Sequence, residues 1–270
     1  MSRHLLGVVM LALASAAVPA LASQPLWELG LGAGALRMPH YRGSDQSHDW
    51  LLPVPYAVYR GKIFRATREG ARAVLLEGER FDFDLSADAS APASSGDNVA
   101  RSGMPDLEPT VEIGPNLNVT LARGGGWKLD LRLPVRAVFT LGSDARGIGF
   151  TVSPVLNLDL QAGGWNLGLQ GGPLLASGAY HAHFYGVAPA YATAERPAYD
   201  APGGGAGWRL TAAASRRFGD LWLGGYIRTD TVAGAVFEAS PLVRQRENVT
   251  FGLALSWVFA SSEQRVAADR

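Results

Sequence analysis

The stretch Trp127-Lys128-Leu129-Asp130-Leu131-Arg132-Leu133-Pro134-Val135-Arg136-Ala137-Val138-Phe139 decides the fold. Trp127, Leu129, Leu131, Leu133, Val135 and Phe139 alternate with Lys128, Asp130, Arg132 and Arg136. A period of two places these sets on opposite faces of a β-strand. The run exceeds the roughly 9–11 residues that a tilted membrane strand needs. An aromatic ring closes each end, at Trp127 and Phe139, where the interfacial girdles of a membrane barrel lie.

The same pattern extends outward. Phe81, Phe83, Leu85 and Ala87 oppose Asp82, Asp84, Ser86 and Asp88. Val111, Ile113, Leu117, Val119 and Leu121 oppose Glu112, Asn116, Asn118 and Thr120. Phe150, Val152, Leu156, Leu158 and Leu160 oppose Thr151, Ser153, Asn157 and Asp159. A soluble sandwich also alternates. Strand length and the aromatic ends, repeated at Trp165, Trp208, Trp257 and Phe259, favour a barrel in lipid. Closure also pairs every backbone polar group, as lipid demands.

The expected fold is therefore all-β, a transmembrane antiparallel up-and-down barrel. Strands are read at 26–35, 49–60, 79–89, 108–121, 126–140, 147–161, 165–176, 206–218, 220–230 and 248–259. Residues 62–78 form either one strand or a hairpin turning at Arg68-Glu69-Gly70. One strand would put the termini on opposite sides; a hairpin gives about twelve strands with both termini periplasmic. Ten strands is the alternative, if the hairpin stays outside the lipid. Short connections at 61–62, 77–78, 122–125, 162–164 and 218–220 read as periplasmic turns. The long ones at 36–48, 90–107, 177–205 and 231–247 read as external loops, with short outer turns at 68–70 and 141–146.

At the N-terminus, Arg3 and His4 precede the apolar run Leu5 to Ala17, and Ala20-Leu21-Ala22 offers a cleavage site. Residues 1–22 are expected to be a signal peptide, and 23–270 a single outer-membrane barrel domain with a polar, loose tail from about 260. The 270 residues carry no Cys, which suits an oxidising periplasm and rules out a lipoprotein anchor. Formal net charge is zero, so no basic field draws nucleic acid.

Alternation directs Asp82, Asp84, Asp88, Glu112, Asp130 and Asp159 into the lumen with Lys128, Arg132, Arg136, Arg209 and Arg228. Small barrels fill their interior with side chains, whereas open channels belong to larger ones. A closed lumen crossed by ion pairs, with a long outer loop folded inward, is the expectation.

Chemistry is sparsely marked. His40, His48, His181 and His183 fall in or beside the outer loops, with Ser44 and Asp45 near His40 and Ser177 near His181. A lipid hydrolase would need such a base bonded to a nucleophile and an acid. No G-x-S-x-G elbow is present. His181-Ala182-His183 lacks further ligands at metal-site spacing, and Gly203-Gly204-Gly205 lacks the strand–loop–helix context of a phosphate cradle. Asn118-Val119-Thr120 and Asn248-Val249-Thr250 match a glycosylation pattern but lie in strands. No catalytic residue, metal or cofactor is expected, and the chain is read as not an enzyme.

Several segments, in order along the mature chain, resemble the MltA-interacting protein (MipA)/OmpV family of outer-membrane proteins. They are Pro39-His40-Tyr41-Arg42-Gly43-Ser44-Asp45, Leu52-Pro53-Val54-Pro55-Tyr56, Tyr59-Arg60-Gly61 and Gly103-Met104-Pro105-Asp106-Leu107. Pro109-Thr110, Glu112, Gly114, Pro115 and Phe184-Tyr185-Gly186-Val187 follow. Then come Arg196-Pro197-Ala198-Tyr199-Asp200-Ala201, Ser240-Pro241-Leu242-Val243 and the last strand, Gly252 to Phe259. The chain departs from many barrels by continuing past Phe259. The resemblance implies a cell-envelope scaffold linking a murein-degrading lytic transglycosylase to a penicillin-binding murein synthase (peptidoglycan enzymes both). It carries no established catalytic residues. A surface adhesin or small-solute channel is the alternative, and an outer-membrane lipid hydrolase ranks below them. Contacts with the barrel-assembly machinery and with outer-membrane lipids, lipopolysaccharide included, are expected of any such barrel.

Overall fold

The computed structural model describes residues 23–67, 70–142 and 144–267. The expected signal peptide lies outside the described residues, as do 68–69 of the expected outer turn. Twelve antiparallel strands close into one barrel. They are β1 (Trp27–Pro39), β2 (Ser47–Arg60), β3 (Phe64–Thr67), β4 (Gly70–Glu77), β5 (Phe81–Ser90) and β6 (Thr110–Gly124). The rest are β7 (Trp127–Thr140), β8 (Gly147–Val152 continued by Val155–Ala162), β9 (Trp165–Ala176), β10 (Gly204–Phe218), β11 (Leu221–Thr231) and β12 (Glu247–Ser261). Residues 62–78 thus make the hairpin, and the count is twelve. Among the described residues no helix is long and apolar enough to cross a membrane; the crossing is by strands.

Closure is made by β12 against β1, from Phe251↔Arg37 to Ser261↔Glu28. Gly32 pairs with Ser256 on this seam, and a Cβ there would run into the Leu255 carbonyl and the Ser256 backbone. Only glycine lets the two backbones approach so closely.

Both pieces of β8 ladder with β7 and with β9, so β8 is one strand interrupted at Ser153-Pro154. Proline has no N–H to give to a ladder. A proline occurs at this level in four consecutive strands. Pro115 of β6 adjoins Asn116, which pairs with Pro134 of β7. The Pro134 carbonyl accepts from the Ser153 N–H at 3.3 Å. The register that pairs Leu156 with Gly171 and Val152 with Leu175 sets Pro154 opposite Pro173.

The outer wall is apolar. Leu51 is 82% exposed and Leu253 55%, within a continuous belt that includes Leu31, Ile113, Phe150, Leu169, Leu210 and Ile227. In water so large a patch would aggregate; in a bilayer it is the surface the lipid wets. The inner face carries Asp84, Asn116, Asn118, Asp130, Asn157, Asp230, Asn248 and Thr250, all buried. Alternation is therefore polar-in and apolar-out, the reverse of a soluble core.

The two ends differ. At one, tight turns join the strands, and Ser23–Pro25 pairs with Arg265–Ala267, Ser23 opposite Ala267. The tail expected to be loose is thus ordered to Ala267: the Leu26 N–H reaches the Gln264 carbonyl at 2.9 Å, which holds 23–26 against 264–267. At the other end four long connections, 40–46, 91–109, 177–203 and 232–246, pack into a cap. They are shorter than expected in the first case because β1 and β2 run on to Pro39 and Ser47.

Candidate functional site

The cap holds the main apolar cluster of the molecule. Tyr41, Leu107, Tyr185, Val187, Val232, Phe237 and Leu242 come from all four loops and are buried together. Its centre is Phe237, stacked on Tyr185 with centroids 3.6 Å apart and 10° between planes. The third loop supplies α1 (Gly178–Tyr185), whose cap is Ser177: its Oγ accepts from the Tyr180 N–H at 3.3 Å and the Phe150 N–H at 3.1 Å. This fixes α1 against the outer part of β8. Arg42 of the first loop reaches down into the lumen, its Nε 3.1 Å from Asp230.

Below the cap the inner wall is lined by charge pairs. Asp230 is fully buried and is shared by Arg42, Arg209 at 2.8 Å and Arg228 at 3.1 Å. Asp84 accepts from Asn118 at 2.7 Å and lies 3.9 Å from Arg72. Asp130 meets Arg132 at 2.7 Å and Lys128 at 3.5 Å, and Arg132 continues to Asp159 at 3.5 Å. Arg136 bonds Ser86 and lies 3.7 Å from Asp88, while Glu112 accepts from Thr151 at 3.0 Å. Asp82 shares the inward row of β5 with Asp84. Every lumen charge read from the sequence therefore lies on the inner face.

A second rung was missed. At the termini end Glu28 pairs with Arg60 at 2.8 Å and with Arg217. Glu28 is out of phase with Leu29 and Leu31, so alternation alone would have placed it inside. Asp230 stands in phase with Arg228 and was legible in the same way. Arg42 carried no such signal, since a loop has no period.

The histidines fall in two pairs, His40 with His48 of β2 and His181 with His183 of α1. His40 Nδ1 faces the Asn98 amide nitrogen at 3.0 Å, and the His40 ring stacks on His48 at 4.0 Å. Ser44 is fully buried and accepts from Asn98 at 3.1 Å and from the Gln46 N–H at 3.1 Å. Asp45 turns instead to Arg244, 3.9 Å away. His181 donates from Nδ1 to the Pro202 carbonyl at 2.6 Å and packs on Phe237. Burial holds the His181 pKa below the imidazole range, and burial with Arg101 and Arg146 brings His183 down to about 4. Among the described residues no three metal-ligating side chains cluster. Asn118 and Asn248 face inward, Asn248 donating to the Ser44 carbonyl at 2.8 Å, which leaves neither open to a glycan.

Residues 31–259 match the MltA-interacting protein MipA family. The chain belongs to that family. As a MipA-family barrel it is an outer-membrane protein. No curated protein matches it. Among solved structures it is similar to a bacterial polysaccharide outer membrane secretin at 8% identity and TM-score 0.44, covering 87% of this chain and 99% of that one. It is also similar to the COG4313 outer membrane channel from Pseudomonas putida F1, at 13% identity and TM-score 0.44, covering 89% and 98%. Outer membrane phospholipase A from Escherichia coli follows at 12% identity and TM-score 0.37, covering 89% and 93%.

Proposed function

We propose that this MipA-family protein is a non-catalytic scaffold of the cell envelope, holding a lytic transglycosylase and a penicillin-binding murein synthase beneath the outer membrane. The observation that carries this reading is the charge-paired inner wall beneath a packed cap. Carboxylate–guanidinium pairs line the wall at Glu28, Asp84, Asp130 and Asp230, and four loops cover the outer end. Such an interior favours a structural role over transport of large solutes. The family's name supports a murein-degrading partner. The paired chain ends, Ser23–Pro25 and Arg265–Ala267, add a folded periplasmic surface beyond the short turns. Against hydrolysis stands the bonding of Ser44 and Ser177, whose hydroxyls serve Asn98 and the start of α1 and are bonded to no histidine. A surface adhesin is the second reading, favoured by the packed cap.

Crosslinking of the tagged protein in its own host, purification from outer membrane and identification of its companions test the scaffold. Enrichment of a lytic transglycosylase or murein synthase over an unrelated barrel is expected. Recovery of only lipopolysaccharide and the assembly machinery would remove the scaffold reading and turn attention to the cap.

A further inference from the structure

Asn98 sits at the junction of the first and second outer loops and its orientation is fixed by the backbone. It caps the turn Val99–Arg101, its Oδ1 accepting from the Arg101 N–H at 3.2 Å. An oxygen so engaged leaves the amide nitrogen pointing the other way, with two hydrogens to place. They go to His40 Nδ1 at 3.0 Å and Ser44 Oγ at 3.1 Å. His40 Nδ1 must then be the acceptor. Its lone pair is available only while the ring carries a single proton, on Nε2.

This contact ties the first loop to the second. Gln46 adds two more bonds, its Oε1 accepting from the Val99 N–H at 2.7 Å and its Nε2 donating to the Asp97 carbonyl at 3.2 Å. The second loop is tied onward. Arg101, buried over the Tyr41 ring, donates to the Phe184 carbonyl at 3.1 Å, and Arg196 donates to the Ala100 and Ser102 carbonyls.

We propose that His40, Asn98 and Ser44 form an acid-sensitive latch that frees the second outer loop when His40 takes a second proton. Protonation at Nδ1 sets N–H against N–H and breaks the 3.0 Å contact. The charged groups around the ring are His48 of β2, stacked at 4.0 Å, Asp97 of the second loop and Asp45 of its own loop. Asp45 is drawn toward Arg244 of the fourth loop, 3.9 Å away. Burial, with His48 adding to it, lowers the His40 pKa from 6.5 despite the two aspartates. The closed latch is thus favoured above the ordinary imidazole pKa of 6.5 and lost as pH falls through the lower folded value.

Hydrogen exchange of the full barrel in lipid vesicles, corrected for intrinsic rates and followed from pH 7.5 to 5, tests this. In the wild-type protein, exchange across 91–102 should rise about tenfold while the strands stay protected. His40→Gln keeps a neutral acceptor and should abolish the step; His183 is common to both proteins, so the difference between them reports the latch alone. Asn98→Asp keeps the helix-capping oxygen but turns donor into acceptor, and should reverse the sign, with protection of 91–102 greatest in acid. Absence of the step in wild-type, its persistence in His40→Gln, or an unchanged sign in Asn98→Asp overturns the proposal.

Discussion

Replacing Phe237 by alanine should open the cap and leave the wall standing. The ring is fully buried, stacked at 3.6 Å on Tyr185 and set edge-on to His181 at 4.6 Å. Removing a buried Phe costs about 3–5 kcal/mol, of which stacking accounts for about 0.5–1.5. At about 1.4 kcal/mol per decade, the open population rises by about two to three and a half orders of magnitude. The cluster is built mainly from loop residues, with Ala206 of β10 and Leu174 of β9 joining it from the strand ends, so the loss is concentrated in the cap. Limited proteolysis of the barrel in vesicles, with cleavage mapped to 177–203 and 232–246, reads the effect. Folded migration on unheated gels reads the wall. Unchanged cleavage with an intact barrel would refute the idea that one apolar cluster holds the four loops, and loss of the barrel itself would refute the separation of cap from wall.

Asp230→Ala leaves three guanidiniums without their shared carboxylate and should cost about 3–5 kcal/mol in urea unfolding from vesicles, whereas Asp159→Ala, with its side chain 41% exposed to lumen water, should cost less than about 1. Gly32→Val should block closure of β12 on β1, seen as accumulation of unfolded chain with no heat-modifiable band. For His183 the folded state favours the neutral ring, so its contribution is complete above pH 6.5 and declines toward about pH 4. Solvent screening at this partly exposed ring should hold the loss below about 3 kcal/mol, measured as falling protection of α1 in acid that His183→Gln abolishes.

The wall was legible because a membrane strand has two chemically different faces, and a period of two survives even the interruption at Ser153-Pro154. Val152 and Leu156 stay in phase across it, which is why β8 reads as one strand in sequence and behaves as one in the ladder. The hairpin at β3 and β4 was recoverable only from the need to bring both termini to one side. The cap was legible as loops and no further. Asn98 attracts no notice as one polar residue in a polar segment; its role comes from His40 and Ser44, brought to it by chain closure rather than by spacing. Arg42 and the strand pair at the termini were invisible for the same reason, since neither shows a pattern until the barrel brings its ends together.

The row of prolines has a consequence that precedes the barrel. An outer-membrane chain reaches its membrane through water, with apolar segments such as Trp127–Thr140 exposed and prone to stack on copies of themselves. A proline in mid-segment denies one rung to every such stack, and β6, β7, β8 and β9 each carry one. Prolines so placed oppose fibrillar stacking of a still unpaired chain. The missing N–H that costs the finished wall a ladder bond thus disfavours self-pairing before the wall exists.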